Sequence, residues 1–365
     1  MKALHQFVPS LRAGDAVGSH TLRARDILRG MGFESEIFAE SAQPEVEGEV
    51  VPVGEYLVRA RRGERSRNGV LYQMATGSRI GDFFQALPER KAVDYHNFTP
   101  AHFFLGWDDR EALRTEVGRS QMERLAGVVE MALADSPFNE QELRATGYRR
   151  TQVAPILLDL STFDEAPDER TRDRLERGRR GTEWLFVGRF APNKAQHDVM
   201  LAFAAYRRLY DPSARLHFVG GGAVPRYLRA LHELATRLGL GDAVQFAGSV
   251  SHAALAAHYA AADVFVCLSE HEGFCIPLLE AMHHDLPVVA FAAAAVPGTM
   301  GDGGLVLGDK TPPVVAAAVD RVMRDDALRD RLTTAGRARL AAFSLDRTTA
   351  AFEAGIRAWV DGDRP

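Results

Sequence analysis

Short apolar runs alternate with stretches of helical period along most of this chain. In the first half, the runs at 3–8, 35–38, 70–74, 92–95, 131–134 and 153–157 predict strands. Between them, 21–31, 111–129 and 140–146 repeat apolar positions every three or four residues and predict helices. The second half repeats the pattern, with strands at 184–187, 216–219, 244–246, 264–268 and 288–291 and helices at 199–210, 226–238, 253–261 and 277–284. Strands spaced by helices in this way predict parallel sheets built from βαβ units. Two further helices, 325–342 and 346–360, close the pattern. The second carries Ala351, Phe352, Ile356 and Trp359 on one stripe, which must dock on something.

The alternation lapses at 161–181. Asp164, Glu165, Asp168, Glu169, Arg170, Arg172, Asp173 and Arg174 crowd together there after and around Pro167, as in a solvated linker with room for a short helix. The expected organisation is a domain at 1–163 completed by the helix at 345–361, a charged linker at 164–182, and a second α/β domain at 183–344. In open α/β sheets the ligand lies beyond the carboxyl ends of the strands.

Composition narrows the class. The chain has 365 residues, 46% hydrophobic and 25% charged, which suits two globular cores. A net charge of −5 speaks against a general nucleic-acid binder. Two cysteines, Cys267 and Cys275, make no disulfide framework and fit a reducing compartment. Cys267 reads as a small core residue. Residues 1–10 lack the apolar region of a signal peptide, and no run reaches the roughly 18 apolar residues of a membrane span. The expectation is a cytoplasmic protein whose membrane contact, if any, is peripheral at the inner surface. The cluster Arg59, Arg61, Arg62, Arg65 and Arg67 stands out from the acidic background, and a solvated loop is its plainer reading over an anionic surface contact.

The most informative segment is Ser269-Glu-His-Glu272-Gly273-Phe274-Cys275-Ile276-Pro277-Leu-Leu-Glu280. It follows a buried strand, passes a glycine and enters a helix near Pro277, a residue suited to a first turn. Glu272 then lies in the loop and Glu280 in the first helical turn, so both carboxylates can face one crevice and accept hydrogen bonds from vicinal diols. Two glutamates eight apart are unremarkable alone; the Gly-Phe-x-x-Pro context singles them out. Backbone N–H groups from Gly273 to Ile276 suit phosphate or sugar oxygens. A second segment, Phe186-Val-Gly188-Arg189-Phe-Ala-Pro-Asn-Lys194, also lies at a strand end. Arg offers a planar fork and Lys a point charge for a diphosphate. The chain has only four lysines, so one falling here by chance is improbable.

These two segments resemble the signature of the family 4 retaining glycosyltransferases of the GT-B fold, most strongly from 183 to 344. The resemblance implies two Rossmann-like domains with mainly parallel sheets facing across a cleft. It implies that Glu280 binds the nucleotide ribose, that Glu272 contacts the transferred sugar, and that Arg189 and Lys194 hold the leaving diphosphate. Gly273, Phe274, Cys275 and Ile276 would line the sugar and diphosphate, with Cys275 departing from the small Gly or Ala usual there. Gly188, the turn Gly220-Gly221-Gly222, and Ser249-Val250 beside the nucleobase complete the donor side.

On the acceptor side, Gly14-Asp15-Ala16-Val17-Gly18 resembles the family's first-strand glycine loop in a version associated with a bacterial subset, and it lacks the Gly-x-Gly-x-x-Gly of a dinucleotide fold. His96, in Asp94-Tyr-His96-Asn-Phe-Thr-Pro100, resembles the active-site histidine that contacts the sugar. Gly77 in Thr76-Gly77-Ser78 reads as lining the same cleft, and Ser136 as either approaching the ligand or capping a helix.

The function so implied is transfer of a hexosyl-type sugar from a nucleoside-diphosphate sugar to a hydroxyl acceptor (glycan, lipid-linked sugar or small molecule), with no further cofactor. His283 and His284 are adjacent on a helix and cannot share one ion, so no metal site is expected. The rivals are a nucleotide-sugar 2-epimerase of related fold, which would form an epimer without acceptor, and a silent sugar-nucleotide-binding protein. The presence together of His96, Arg189, Lys194 and Glu272 argues against the last. Base, sugar, acceptor and oligomeric state stay open.

Overall fold

A computed structural model describes residues 1–59 and 68–362. Arg61, Arg62, Arg65 and Arg67 of the basic cluster lie outside the described residues, as does the side chain of Arg59. The chain divides into two compact units. The first comprises Met1–Ala101, Arg110–Asp159 and Phe343–Pro365, and the second His102–Asp109 and Leu160–Ala342.

Among the described residues, the first unit holds a seven-stranded parallel sheet. Its strands are β1 (Leu4–Leu11), β2 (Ile37–Ala42), β3 (Val51–Pro52), β4 (Gly69–Met74), β5 (Arg90–Tyr95), β6 (Met131–Ala134) and β7 (Thr151–Val153), in spatial order β3-β2-β1-β4-β5-β6-β7. The second holds six parallel strands, β8 (Glu183–Val187), β9 (Arg215–Val219), β10 (Val244–Gly248), β11 (Val264–Cys267), β12 (Val288–Phe291) and β13 (Leu305–Leu307), in order β10-β9-β8-β11-β12-β13. Each sheet reverses direction of growth once, between β1 and β4 and between β8 and β11. Such switch points leave a crevice at the strand carboxyl ends.

Burial explains why the apolar runs became strands. All six residues of β4, all five of β9 and all four of β11 are buried, as strands covered on both faces require. The run expected at 153–157 is displaced. The paired strand ends at Val153, Pro155 has no N–H for a ladder, and Ile156 and Leu157 are buried as an extended connection. The short edge strands β3 and β13 and the helices Arg79–Ala86 and Pro312–Arg324 fell outside the expected pattern, the last behind two prolines that open it. Residues 164–182, expected as a charged linker with room for a short helix, carry the helix Glu169–Gly178, capped by Asp168 and burying Thr171 and Leu175.

The closing helix Leu345–Asp361 belongs to the first unit. Its stripe of Phe352, Ile356 and Trp359 enters the core beside Leu4, Leu71 and Leu133. Each such side chain contributes about 2–3 kcal/mol by burial. Arg90 fastens the helix end by donating to the carbonyls of Trp359 and Val360, and Trp359 Nε1 donates to Glu130 at 3.1 Å.

Candidate functional site

In the second unit the switch point is built from strand-end glycines. Gly188 follows β8 and donates to Val219 O, while Gly220 follows β9 and donates to Gly248 O, so three turns lie side by side. Gly220 has φ +149°, and a Cβ there would stand 2.2 Å from Gly188 O, so no other residue fits. A Cβ on Gly221 would meet Ser249 Oγ. Ser249 is therefore brought to this edge, exposed, with Val250 half-buried beside it.

From Gly188 the chain passes Arg189 and makes one tight turn, Pro192–Lys194, before Ala195 in the left-handed region starts the helix Gln196–Leu209. Across the crevice, β11 ends at Cys267 and runs through Ser269 to Glu272. Two bonds clamp the segments together: Glu270 N–H donates to Asn193 O at 2.8 Å, and Asn193 Nδ2 to His271 O at 3.1 Å. The clamp sets Lys194 Nζ 2.8 and 2.6 Å from the two oxygens of Glu272. The Glu272 side chain is 6% exposed and that of Lys194 23%. Burial is the largest influence and works to lower the Lys194 pKa, but the charge and hydrogen bond of Glu272, together with the two nearby cysteines, hold the ammonium above its ordinary range. The pair lies in a poorly hydrated setting, where removing one partner strands the other.

Arg189 is exposed, its guanidinium 5.5 Å from the centre of the Phe104 ring, and its carbonyl accepts from Gln196 Nε2 at 2.8 Å. The structure therefore places Arg189 and Lys194 at the two ends of one short turn, with only Lys194 engaged by Glu272.

The helix after Glu272 begins one residue earlier than expected, at Ile276, with Cys275 as its N-cap at φ 74°. Glu280 accordingly lies in its second turn, not its first. Tyr259 OH donates to Glu280 Oε2 at 2.7 Å, and Thr162, Phe163, His252 and His284 line the same small cavity. Burial raises the Glu280 carboxyl above its usual range against the pull of Tyr259. Glu272 and Glu280 thus keep different company: one an ammonium, the other a phenol among aromatic rings. Phe274 O accepts from Thr299 Oγ1 at 2.6 Å, which fixes the loop through Gly273 and Phe274. Cys275 Sγ lies 4.0 Å from Cys267 Sγ.

In the first unit, Gly14 (φ 74°) turns the chain so that Asp15 caps the helix Ala16–Gly30 by accepting from Gly18 N–H at 2.5 Å. One turn along that helix, His20 is fully buried and donates from Nε2 to Asp94 Oδ2 at 2.8 Å, since its Nδ1 accepts from Leu157 N–H at 3.0 Å. His96 sits 4.9 Å away, ring centre to ring centre. Its protonation follows from a one-way chain. Thr21 O can only accept, so Gln6 Nε2 donates to it (3.1 Å) and Gln73 Nε2 donates to Gln6 Oε1 (2.7 Å). Gln73 Oε1 is left to accept from His96 Nε2 at 2.6 Å, while His96 Nδ1 donates to Asp135 Oδ2 at 2.9 Å. Burial alone would lower its pKa; Asp135, with Asp94 and Asp15, lifts it to about 9.

His96 is thus a buried imidazolium, its side chain 2% exposed and both nitrogens committed to the protein. The side-chain contact to a sugar expected for it has no free nitrogen to make it. Ser136 resolves into a cap, accepting from Asn139 N–H at 3.2 Å at the start of the helix Pro137–Ala145. Gly77 presses on the helix Asp109–Leu125, where a Cβ would be 2.3 Å from Arg114 O.

Sequence reasoning missed His20, Gln6 and Gln73. For Gln6 and Gln73 the available signal was a polar residue inside an otherwise apolar strand run, whereas His20 lies on a helix. It also found no metal-ligand spacing, whereas among the described residues the fold gathers two sets whose ligand atoms lie within 4.8 Å of one another: His20, Asp94, His96, and Cys267, Glu272, Cys275. In the first set the histidine nitrogens are already taken by the bonds above.

Residues 168–339 match the family Glycosyl transferases group 1. A D-inositol 3-phosphate glycosyltransferase of Geodermatophilus obscurus is 36% identical over 208 residues, covering 55% of this chain and 45% of the relative. The chain spans about half the length of the first curated relatives it matches. Sucrose-phosphate synthase from Thermosynechococcus elongatus superposes with a TM-score of 0.74 at 20% identity, covering 100% of both chains. Anabaena HepE in complex with UDP-glucose superposes at 0.70 with 17% identity, covering 97% of this chain and 99% of that one. The two Rossmann-like parallel-sheet units are those of the GT-B fold. Among the described residues no helix is long and apolar enough to cross a membrane.

Proposed function

We propose that this chain is a retaining glycosyltransferase of family 4 that moves a hexosyl unit from a nucleoside-diphosphate sugar to a hydroxyl acceptor. The observation that carries this reading is the half-buried Lys194–Glu272 pair at the switch point of the second sheet, 2.6 Å at its shortest. It lies at the strand end where the glycine turns bring backbone close enough to meet a diphosphate. The match to the group 1 family and the UDP-glucose described for Anabaena HepE support the same donor class.

In this reading Arg189 and Lys194 meet the diphosphate, Glu280 takes the ribose hydroxyls in place of Tyr259 OH, and Glu272 turns to the sugar. The bond from the anomeric carbon to the phosphate oxygen breaks as the acceptor oxygen bonds on the same face. The leaving phosphate takes the acceptor proton. The cations matter because negative charge develops on that phosphate; losing one such preorganised contact costs about 3–4 kcal/mol in the barrier. Within the first unit, His96 is a positive charge that holds Asp135 and Gln73. The donor needs no further cofactor, and the protein works in the cytoplasm or peripherally at the inner membrane surface.

A thermal-shift screen against UDP, GDP, dTDP and ADP tests the reading, with UDP tried first. One nucleotide at a hundred times its Kd should stabilise by about 2.7 kcal/mol. The gain should vanish in Glu280→Ala. If none of the four stabilises the protein, the donor reading fails. With the cognate sugar nucleotide and an accepted hydroxyl compound, NMR of the new anomeric centre then decides retention.

A further inference from the structure

Two cysteines flank Glu272 at the second switch point, and neither makes or breaks a bond in the transfer proposed above. Cys267 and Cys275 are 2% and 7% exposed, and their sulfurs lie 4.0 Å apart beside a Glu272 that is itself 6% exposed. The three ligand atoms fall within 4.8 Å of one another, and Ser269 Oγ is 3.4 Å from Cys267 Sγ. We infer that Cys267, Cys275 and Glu272 form a binding site for a thiophilic divalent cation of the zinc class, which when filled takes Glu272 into its coordination and silences the donor site.

Three observations carry this. The first is distance. Metal–thiolate bonds of the zinc class are about 2.3 Å, so sulfurs 4.0 Å apart can both reach one ion at an angle of about 120°, near tetrahedral. The second is the backbone. Cys275 caps its helix at φ 74°, ψ 65°, a conformation that costs a residue with a Cβ and that glycine adopts freely. A thiol stands where the backbone favours glycine, with its sulfur 4.0 Å from that of Cys267.

The third is charge. The pocket holds one ammonium, Lys194, and one carboxylate, Glu272, beside the two cysteines. When a divalent cation enters and both thiols give up their protons to solvent, two positive charges arrive and two thiolates form, so the pocket stays neutral. No oxidant is needed, and the two sulfur–hydrogen bonds are replaced by two sulfur–metal bonds. Glu272 now spends both oxygens on Lys194. Giving one of them to the ion leaves it and Lys194 jointly engaged, with neither free for a diphosphate sugar. The cation site stands on its own geometry; only the silencing rests on the donor reading above.

The test uses the full chain, reduced and freed of metal by chelator. Titration with Co²⁺ should give a thiolate-to-metal charge-transfer band that saturates at one ion per chain. Zn²⁺ should displace it, and about two protons should be released per ion in weak buffer. Cys267→Ala and Cys275→Gly, each checked for folding by circular dichroism, should lose the band and weaken Zn²⁺ binding roughly a hundredfold or more. Absence of the band, or its persistence in both variants, overturns the site. For the consequence, Zn²⁺ should abolish the nucleotide-sugar thermal shift in the parent chain, reversibly with chelator, but not in Cys267→Ala. Loss of that shift in both proteins, or reversal only by a thiol reductant, overturns the silencing while leaving the spectroscopic result to judge the site.

Discussion

The two switch points share a strand order and differ in what they do with charge. In the first unit, His20, His96, Asp94 and Asp135 meet behind the strand ends with the His96 side chain 2% exposed, and its ring nitrogens are spent on the protein. In the second, Lys194 and Glu272 meet at the crevice itself, with the lysine 23% exposed. A histidine locked from both sides can only hold its neighbours in place. An ion pair reached by solvent from one side can be opened by a ligand that offers each partner something better. The topology supplies two equivalent crevices, and side-chain commitment decides which one is built for exchange.

The comparison breaks most visibly at the ion pair. Lys194→Ala should lower kcat about a thousandfold, near 4 kcal/mol in the barrier, and Glu272→Gln by a similar order. Lys194→Ala should also destabilise the fold by stranding Glu272, whereas Lys194→Met with Glu272→Leu should recover stability in urea melts without recovering turnover. A double variant that still turned over would remove the pair from the chemistry.

The next effect separates the units by pH. His96 is held at about 9 in the fold against an ordinary 6.5. Its protonated form is the native one, so its contribution is fully present below pH 6.5 and lost as pH rises through 9. The loss should be on the order of 3 kcal/mol and should vanish in His96→Gln, by urea unfolding at pH 6 and pH 9.5. A parent chain equally stable at both would show the ring neutral.

Smaller still, Tyr259→Phe should cost about 1 kcal/mol in folding stability through the lost hydrogen bond to Glu280. It should leave nucleotide stabilisation intact or improved, because the ribose no longer competes with the phenol. Nucleotide binding that fell with Tyr259→Phe would make the phenol part of the site. Ser136→Ala should cost about 1 kcal/mol through the cap, read from the thermal midpoint. A fall in turnover beyond that stability loss would return Ser136 to the ligand.

Most of this fold was legible in the sequence because parallel strands buried on both faces write themselves as unbroken apolar runs. β4, β9 and β11 are plain for that reason. The two-residue β3 is too short to carry a period, and the run at 153–157 misled because apolar residues in an extended connection look like a strand. At the site, the motif residues Lys194, Glu272 and Glu280 were legible from spacing and from resemblance. Their partners were not. Tyr259 reaches Glu280 from another helix, and Gln73 reaches His96 from another strand, with Gln6 behind it on a third.

The sequence by itself determined the alternation of strand and helix, the strand-end glycines and which charged residues stand beside them, since those depend on residues near one another in the chain. Tertiary structure alone decided how each charge is spent. Lys194 and Glu272 lie 78 residues apart, and so does any knowledge that they pair. His96 became a locked cation only when Asp135 and Gln73 arrived from neighbouring strands. Cys267 and Cys275, which spacing left as a core residue and a loop anomaly, became neighbours, with the second at a left-handed cap and its sulfur 4.0 Å from the first. Hydrogen bonds and ion pairs depend on distances of a few ångströms, and only the folded chain sets those between residues far apart in sequence.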